Sequence, residues 1–191
     1  MCRCRGKTDM NNKLEKIKTL CIHADGSNSE KEREVISEYL LHCFVNGGFY
    51  AKILCTDSWL EEMCVGRLFC DGRIANSEQI QSIKFSSDRK SVWIELNDEK
   101  AQKTRPENPM ADWRPEWIFA FAKELKPGAQ LYRRSQGTHC CMLQRHGEIL
   151  FSCEDISRHN VADKAIGYAI LQKIPLNECL MFTSGRVPSD M

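Results

Sequence analysis

Two apolar, β-prone runs, YLLHCFV and FYAKILC, are separated by Asn46-Gly47-Gly48. Asparagine and glycine tolerate φ > 0, so this spacing predicts a hairpin with strands over 39–45 and 49–55. In the next stretch, TDSWLEEMCVGRLFCDG, apolar residues recur at helical spacing at Leu60, Met63, Cys64 and Leu68. Thr56 or Asp57 stands where an N-cap belongs and Gly72 lies just past the end, which predicts an amphipathic helix. QSIKFSSDRKSVWIELN reads as a second hairpin turning near Ser87 to Lys90. The polar, proline-broken DEKAQKTRPENPMADWRP that follows reads as a linker, with a domain boundary near 100–112.

Beyond the linker, Pro115 can open a helix over WIFAFAKELK that stops before Pro127-Gly128. AQLYRRS, THCCMLQ and EILFSC are strand-like. In SRHNVADKAIGYAILQKI the apolar positions Val161, Ala165, Ile166, Ala169 and Ile170 return to helical spacing, with Ser157 as cap and Pro175 as stop. The final ECLMFTSGRVPSDM is a short apolar strand running into Ser184-Gly185-Arg186, with Pro188 placed to start another helix. Strand, helix, strand in that order is the signature of a crossover unit in an α/β sheet. Three segments result: a loosely ordered, turn-rich leader over 1–34, a β-rich unit with one helix over 35–100, and an α/β unit over 101–191.

Composition narrows the function classes. Lys and Arg total 27 against 26 Asp and Glu, a net charge of +1, so no global field attracts nucleic acid or an acidic membrane. An anion site would have to be local. The sequence has no apolar run of about 18 residues, and its start, MCRCRGKTDMNNK, lacks the apolar core of a signal peptide. The expectation is a cytoplasmic protein. Eleven cysteines, odd in number and scattered in spacing, read as reduced thiols rather than a disulfide framework.

Three clusters carry candidate chemistry. Glu154, Asp155, Arg158, His159, Asn160, Asp163 and Lys164 crowd into eleven residues where a strand passes to a helix. Ligands of α/β sheets bind outside the carboxyl ends of strands, and a helix N-terminus offers N–H groups to phosphate. Charged residues at a helix cap are also an ordinary solvated feature. Ser184-Gly185-Arg186 follows an apolar strand, where glycine permits close approach and arginine can grip a phosphate bidentately, or where a plain turn is formed. Gly137-Thr138-His139-Cys140-Cys141 offers sulfur as a nucleophile or metal ligand, or simply small apolar core residues. Strand alternation places Cys141, not Cys140, on the face of His139.

Taken in order, GTH at 137–139, EDISRHNVADKAIG at 154–167 and SGRVPSDM at 184–191 resemble the FdhD family of formate dehydrogenase accessory sulfurtransferases. FVNGGFYAKILCTDSWLEEMCVGRLFCDGRI resembles the family's upstream strand, turn, strand and helix. The resemblance spans about 37–191 and implies an α/β (α+β) fold: a cytidine-deaminase-like α/β domain joined to a smaller N-terminal hairpin and helix domain, as a possible homodimer. It implies a site lined or braced by Gly137, His139, Glu154, Asp155, Arg158, His159, Asn160, Asp163, Lys164, Ser184, Gly185 and Arg186. The implied cargo is the molybdenum or tungsten cofactor as bis-molybdopterin guanine dinucleotide, bound as a client. The implied partners are a cysteine desulfurase, which supplies sulfur as a persulfide, and formate dehydrogenase.

Two departures from the family pattern shape these expectations. The Cys-x-x-Cys loop of typical members is missing, since no cysteine lies between Cys70 and Cys140. Sulfur transfer would then fall to Cys141, with Cys140, Cys153 and the Cys2-x-Cys4 pair as alternatives. The sequence also stops at Met191, short of the family's further helix and strand, so an exposed sheet edge is expected there. The competing readings are a relocated-cysteine sulfurtransferase, a cofactor-binding chaperone without sulfur transfer, and a zinc hydrolase of deaminase type. The last requires His-x-Glu in combination with Pro-Cys-x-x-Cys to activate water, and that combination is absent.

Overall fold

The computed structural model describes residues 13–97 and 112–187. The linker, the Cys2-x-Cys4 pair and the helix expected from Pro188 lie outside these. The architecture is mixed α+β, with three sheets and four α-helices among the described residues. β1 (Leu14–Ile22) and β2 (Asn28–Ile36) pair as an antiparallel hairpin. Over residues 13–34 this replaces the loosely ordered leader expected there; residues 1–12 of that expected segment lie outside the described residues. The hairpin leans on the second half of the chain, where Glu34 accepts a bidentate pair of bonds from Arg134, including Nε to Oε2 at 2.7 Å.

β3 (Tyr39–Val45) and β4 (Gly48–Cys55) form the first expected hairpin, turning through Asn46 and Gly47 at φ 47° and 74°. β5 (Ile80–Phe85) and β6 (Ser91–Leu96) form the second. They join in a four-stranded sheet, order β4-β3-β6-β5, in which β3 and β6 run parallel. Its inner face, Leu41, Cys43, Ile53, Cys55, Val92 and Ile94, packs against Leu60, Met63, Cys64, Val65 and Leu68 of α1 (Leu60–Cys70). Neither Thr56 nor Asp57 caps this helix. Trp59 stands at the N-cap in the left-handed region, φ 57°, without a side-chain cap, and its indole packs edge-on to Phe151 at 4.8 Å.

In the second half, α2 (Pro115–Gly128) runs through Pro127 instead of stopping before it. AQLYRRS is not a strand: Gln130–Ser135 forms a short helix, α3. Its first turn is fixed by Glu154, whose carboxylate accepts from Leu131 N at 2.9 Å and Tyr132 N at 2.8 Å. β7 (His139–Arg145), β8 (Glu148–Asp155) and β9 (Cys179–Thr183) make a three-stranded sheet, order β8-β7-β9. β7 is antiparallel to both neighbours, so β8 and β9 run the same way and are linked by α4 (Arg158–Leu171), the expected crossover. Val161, Ala165 and Ala169 of α4 cover Cys141, Leu143, Phe151 and Cys153.

α1 and α4 join the two halves. Gly66 and Gly167 let the helices touch: a Cβ on Gly66 would lie 1.8 Å from the Asp163 carbonyl oxygen, and one on Gly167 equally close to that of Glu62. Ile170 of α4 reaches into the core beneath the four-stranded sheet. Thus α4 is held between the two sheets, and its N-terminus emerges where β8 and β9 end.

Candidate functional site

The carboxyl ends of β8 and β9, the start of β7 and the N-terminus of α4 meet along one edge of the three-stranded sheet. Ser157 caps α4 by accepting from His159 N at 3.2 Å, and Asp155 Oδ1 accepts from Ser157 N at 3.2 Å. Gly185 lies between two of the candidate side chains. A Cβ there would be 2.8 Å from Arg158 Cβ and 3.5 Å from His139 Nδ1. A side chain here would crowd Arg158, while the distance to His139 is that of ordinary contact. Ser184 extends the sheet by one rung, donating from N to Cys140 O at 3.0 Å and accepting from Cys140 N at its hydroxyl at 3.0 Å. Gly185 N then donates to Thr183 Oγ1 at 3.1 Å. Arg186 follows, exposed, and Arg158 Nε is buried without a hydrogen-bond partner. The edge therefore presents two arginines, a histidine and a helix N-terminus, a combination suited to an anion.

The other candidates are placed elsewhere. Asp155 and Lys164 are fully buried and paired at 2.5 Å. Asp155 Oδ2 also accepts from Thr56 N at 2.9 Å and Thr56 Oγ1 at 3.1 Å, and its Oδ1 accepts from Asn160 Nδ2 at 2.8 Å. Lys164 Nζ donates to Thr56 Oγ1 at 2.9 Å, and Asn160 Nδ2 donates to Leu54 O at 2.8 Å. These residues tie the end of β4 to the start of α4. Beside them lies Lys13, ion-paired to Asp57 at 3.5 Å and pushed below the usual lysine range by burial. Glu154 points to the opposite sheet face, where it caps α3 and accepts from Thr138 Oγ1 at 3.0 Å. Asp163 faces α1, 3.5 Å from Arg67, and burial raises its carboxyl to about 6. Gly137 sits against the first hairpin, where an added Cβ would be 3.2 Å from Ile36.

Cys141 does share the ladder face of His139, but it lies in the core under α4, where desolvation pushes its thiol to about 12. Cys153 is shielded alongside it, its thiol pushed far upward by burial. Cys140 occupies the other face. Burial raises its thiol as well, while contact with Ser184 pulls the other way. His146-Gly147-Glu148 reads His-x-Glu, yet His146 and Gly147 form the turn between β7 and β8 and Glu148 is the first residue of β8. Among the described residues no three His, Cys, Asp or Glu side chains are grouped to hold a metal ion. Thr56 and Arg67 were not expected at or near this site. Each is brought to α4 by contacts spanning nearly a hundred residues, for which no local pattern exists.

A mixed α+β chain with an edge carrying Arg158, Arg186 and His139 at the start of a crossover helix is the class that fold and site define. The FdhD/NarQ family model matches residues 36–112 and 97–191, and the chain belongs to this family. Curated relatives named sulfur carrier protein FdhD include that of Halalkalibacterium halodurans, 25% identical over 95% of this chain and 78% of its own length. That of Bacillus subtilis is 23% identical over 95% and 80%. A crystal structure described as a formate dehydrogenase accessory protein, from Desulfotalea psychrophila, superposes with a TM-score of 0.77 at 24% identity, covering 93% of this chain and 75% of that one. No helix among the described residues is long and apolar enough to cross a membrane.

Proposed function

We propose that the protein is a formate dehydrogenase accessory protein that binds the guanine-dinucleotide form of the molybdenum or tungsten cofactor as cargo at the edge formed by His139, Arg158, Ser184, Gly185 and Arg186. The observation carrying this reading is the contact of Gly185 with both Arg158 and His139 in front of the α4 N-terminus. Arg158 and Arg186 would engage phosphate oxygens, with the helix end adding favourable potential. Asp155, Asn160 and Lys164 would act indirectly, by fixing the start of α4 against Thr56. Delivery to formate dehydrogenase is part of this proposal, and the description of the related structure favours it.

A second reading adds sulfur transfer from a cysteine desulfurase, and the names of the curated relatives favour it. Of the described cysteines in this region, Cys140 is the one bonded to the edge, through Ser184. Its thiolate would attack the terminal sulfur of the desulfurase persulfide, releasing the desulfurase thiolate and leaving Cys140 as a persulfide. Anaerobic incubation with a cysteine desulfurase and cysteine, followed by peptide mass spectrometry, tests this. Added sulfur on Cys140 that is lost to cyanide is the expected sign of transfer. If no cysteine gains sulfur while a guanine nucleotide still binds, the protein is a cofactor chaperone without transfer.

A further inference from the structure

Cys43 of β3 and Cys64 of α1 are 1% and 2% exposed, and their sulfurs lie 3.7 Å apart, on elements 21 residues distant. Neither belongs to the edge described above. The surroundings are apolar, with Leu41, Met63 and Val65 in the same cluster. Buried thiols usually serve as inert small apolar residues. Here each is the other's hydrogen-bond partner and either can donate; the bond lowers the Cys43 thiol below its ordinary range and raises that of Cys64. One sulfur is thus biased toward the nucleophilic form and the other holds the proton, the arrangement that thiol oxidation to a disulfide requires.

We propose that Cys43 and Cys64 are an oxidisable dithiol that closes to a disulfide when a peroxide enters the core. The Cys43 thiolate attacks one peroxide oxygen, breaking the O–O bond to give a sulfenic acid and hydroxide. The hydroxide takes the Cys64 proton and becomes the first water; the Cys64 sulfur then attacks the Cys43 sulfur and displaces its oxygen as hydroxide, which takes up the proton that Cys43 released on ionising and becomes the second water. Two thiols and one hydrogen peroxide become one disulfide and two waters, and the peroxide accepts both electrons. The sulfurs must approach from 3.7 Å to about 2 Å. Closure staples β3 to α1 two residues before Gly66, where α1 touches α4, so oxidation would stiffen the support of the α4 N-terminus.

The test uses the full wild-type chain, reduced, desalted under nitrogen and exposed to graded hydrogen peroxide. Remaining thiols are blocked with iodoacetamide in denaturant and peptides are mapped without reduction. A linked Cys43–Cys64 peptide pair, accompanied by a rise in Tm of about 5 °C that dithiothreitol reverses, is the expected result. In Cys64→Ala the link and the rise should both be absent. If Cys43 and Cys64 are both recovered alkylated at doses that oxidise the exposed Cys70, or are found bridged to other cysteines, the proposal fails.

Discussion

Lys164 has none of its side chain exposed, and its amino group is surrounded by the Asp155 carboxylate and the Thr56 hydroxyl. Such a pair stabilises little against an apolar substitute, but removing one member strands the other's charge and costs about 3–5 kcal/mol. Asp155→Ala should lower stability by that amount in urea unfolding, and adding Lys164→Met should recover part of the loss. Asp163 has the opposite problem. Its carboxyl is raised to about 6 by burial, so its neutral form favours the fold, and that contribution is present below pH 4 and lost as pH rises through 6. Between pH 4 and 6 the wild type should lose about 2 kcal/mol relative to Asp163→Asn, read from the pH dependence of the urea midpoint of each. The sequence revealed that Glu154 to Lys164 form a dense polar cluster. It did not reveal that alternation on β8 sends Glu154 and Asp155 to opposite faces and that the helix turns Asp163 and Lys164 inward. Strand alternation could have separated the first pair. Nothing local could have matched Asp155 to Thr56, 99 positions earlier.

At the level of elements, the hairpins, α1, α4 and the crossover were legible, because turn residues and apolar spacing are local signals. The misreadings share a cause. AQLYRRS suits a strand or a helix, and the choice is made by the Glu154 carboxylate satisfying the first N–H groups of α3. The polar β1 and β2 look like a loose leader until Arg134 grips Glu34. The glycines of α1 and α4 carry no pattern of their own, yet they set the helix crossing. Gly66→Ala would drive a methyl into the Asp163 backbone, forcing the helices apart. It should cost about 2–3 kcal/mol or more, seen as a lowered Tm. Gly48→Ala, with only an ordinary contact to Val45 O at 3.5 Å, should have a much smaller effect.

For the whole molecule, the α1–α4 crossing and the Thr56–Asp155–Lys164 bridge make the first half a support for the second. The family's motif residues are thereby divided between an interior brace and a more open edge, and it is the edge residues that the proposed function assigns to cargo. The most direct measurement is calorimetric titration of GDP into the wild type and into Arg158→Ala, with Tm measured for both. Arg158→Ala should keep its Tm and bind at least about tenfold more weakly, the loss of one charged hydrogen bond or more. Absence of GDP binding in the wild type, or equal affinity in the folded variant, would contradict a nucleotide-bearing cofactor at this edge.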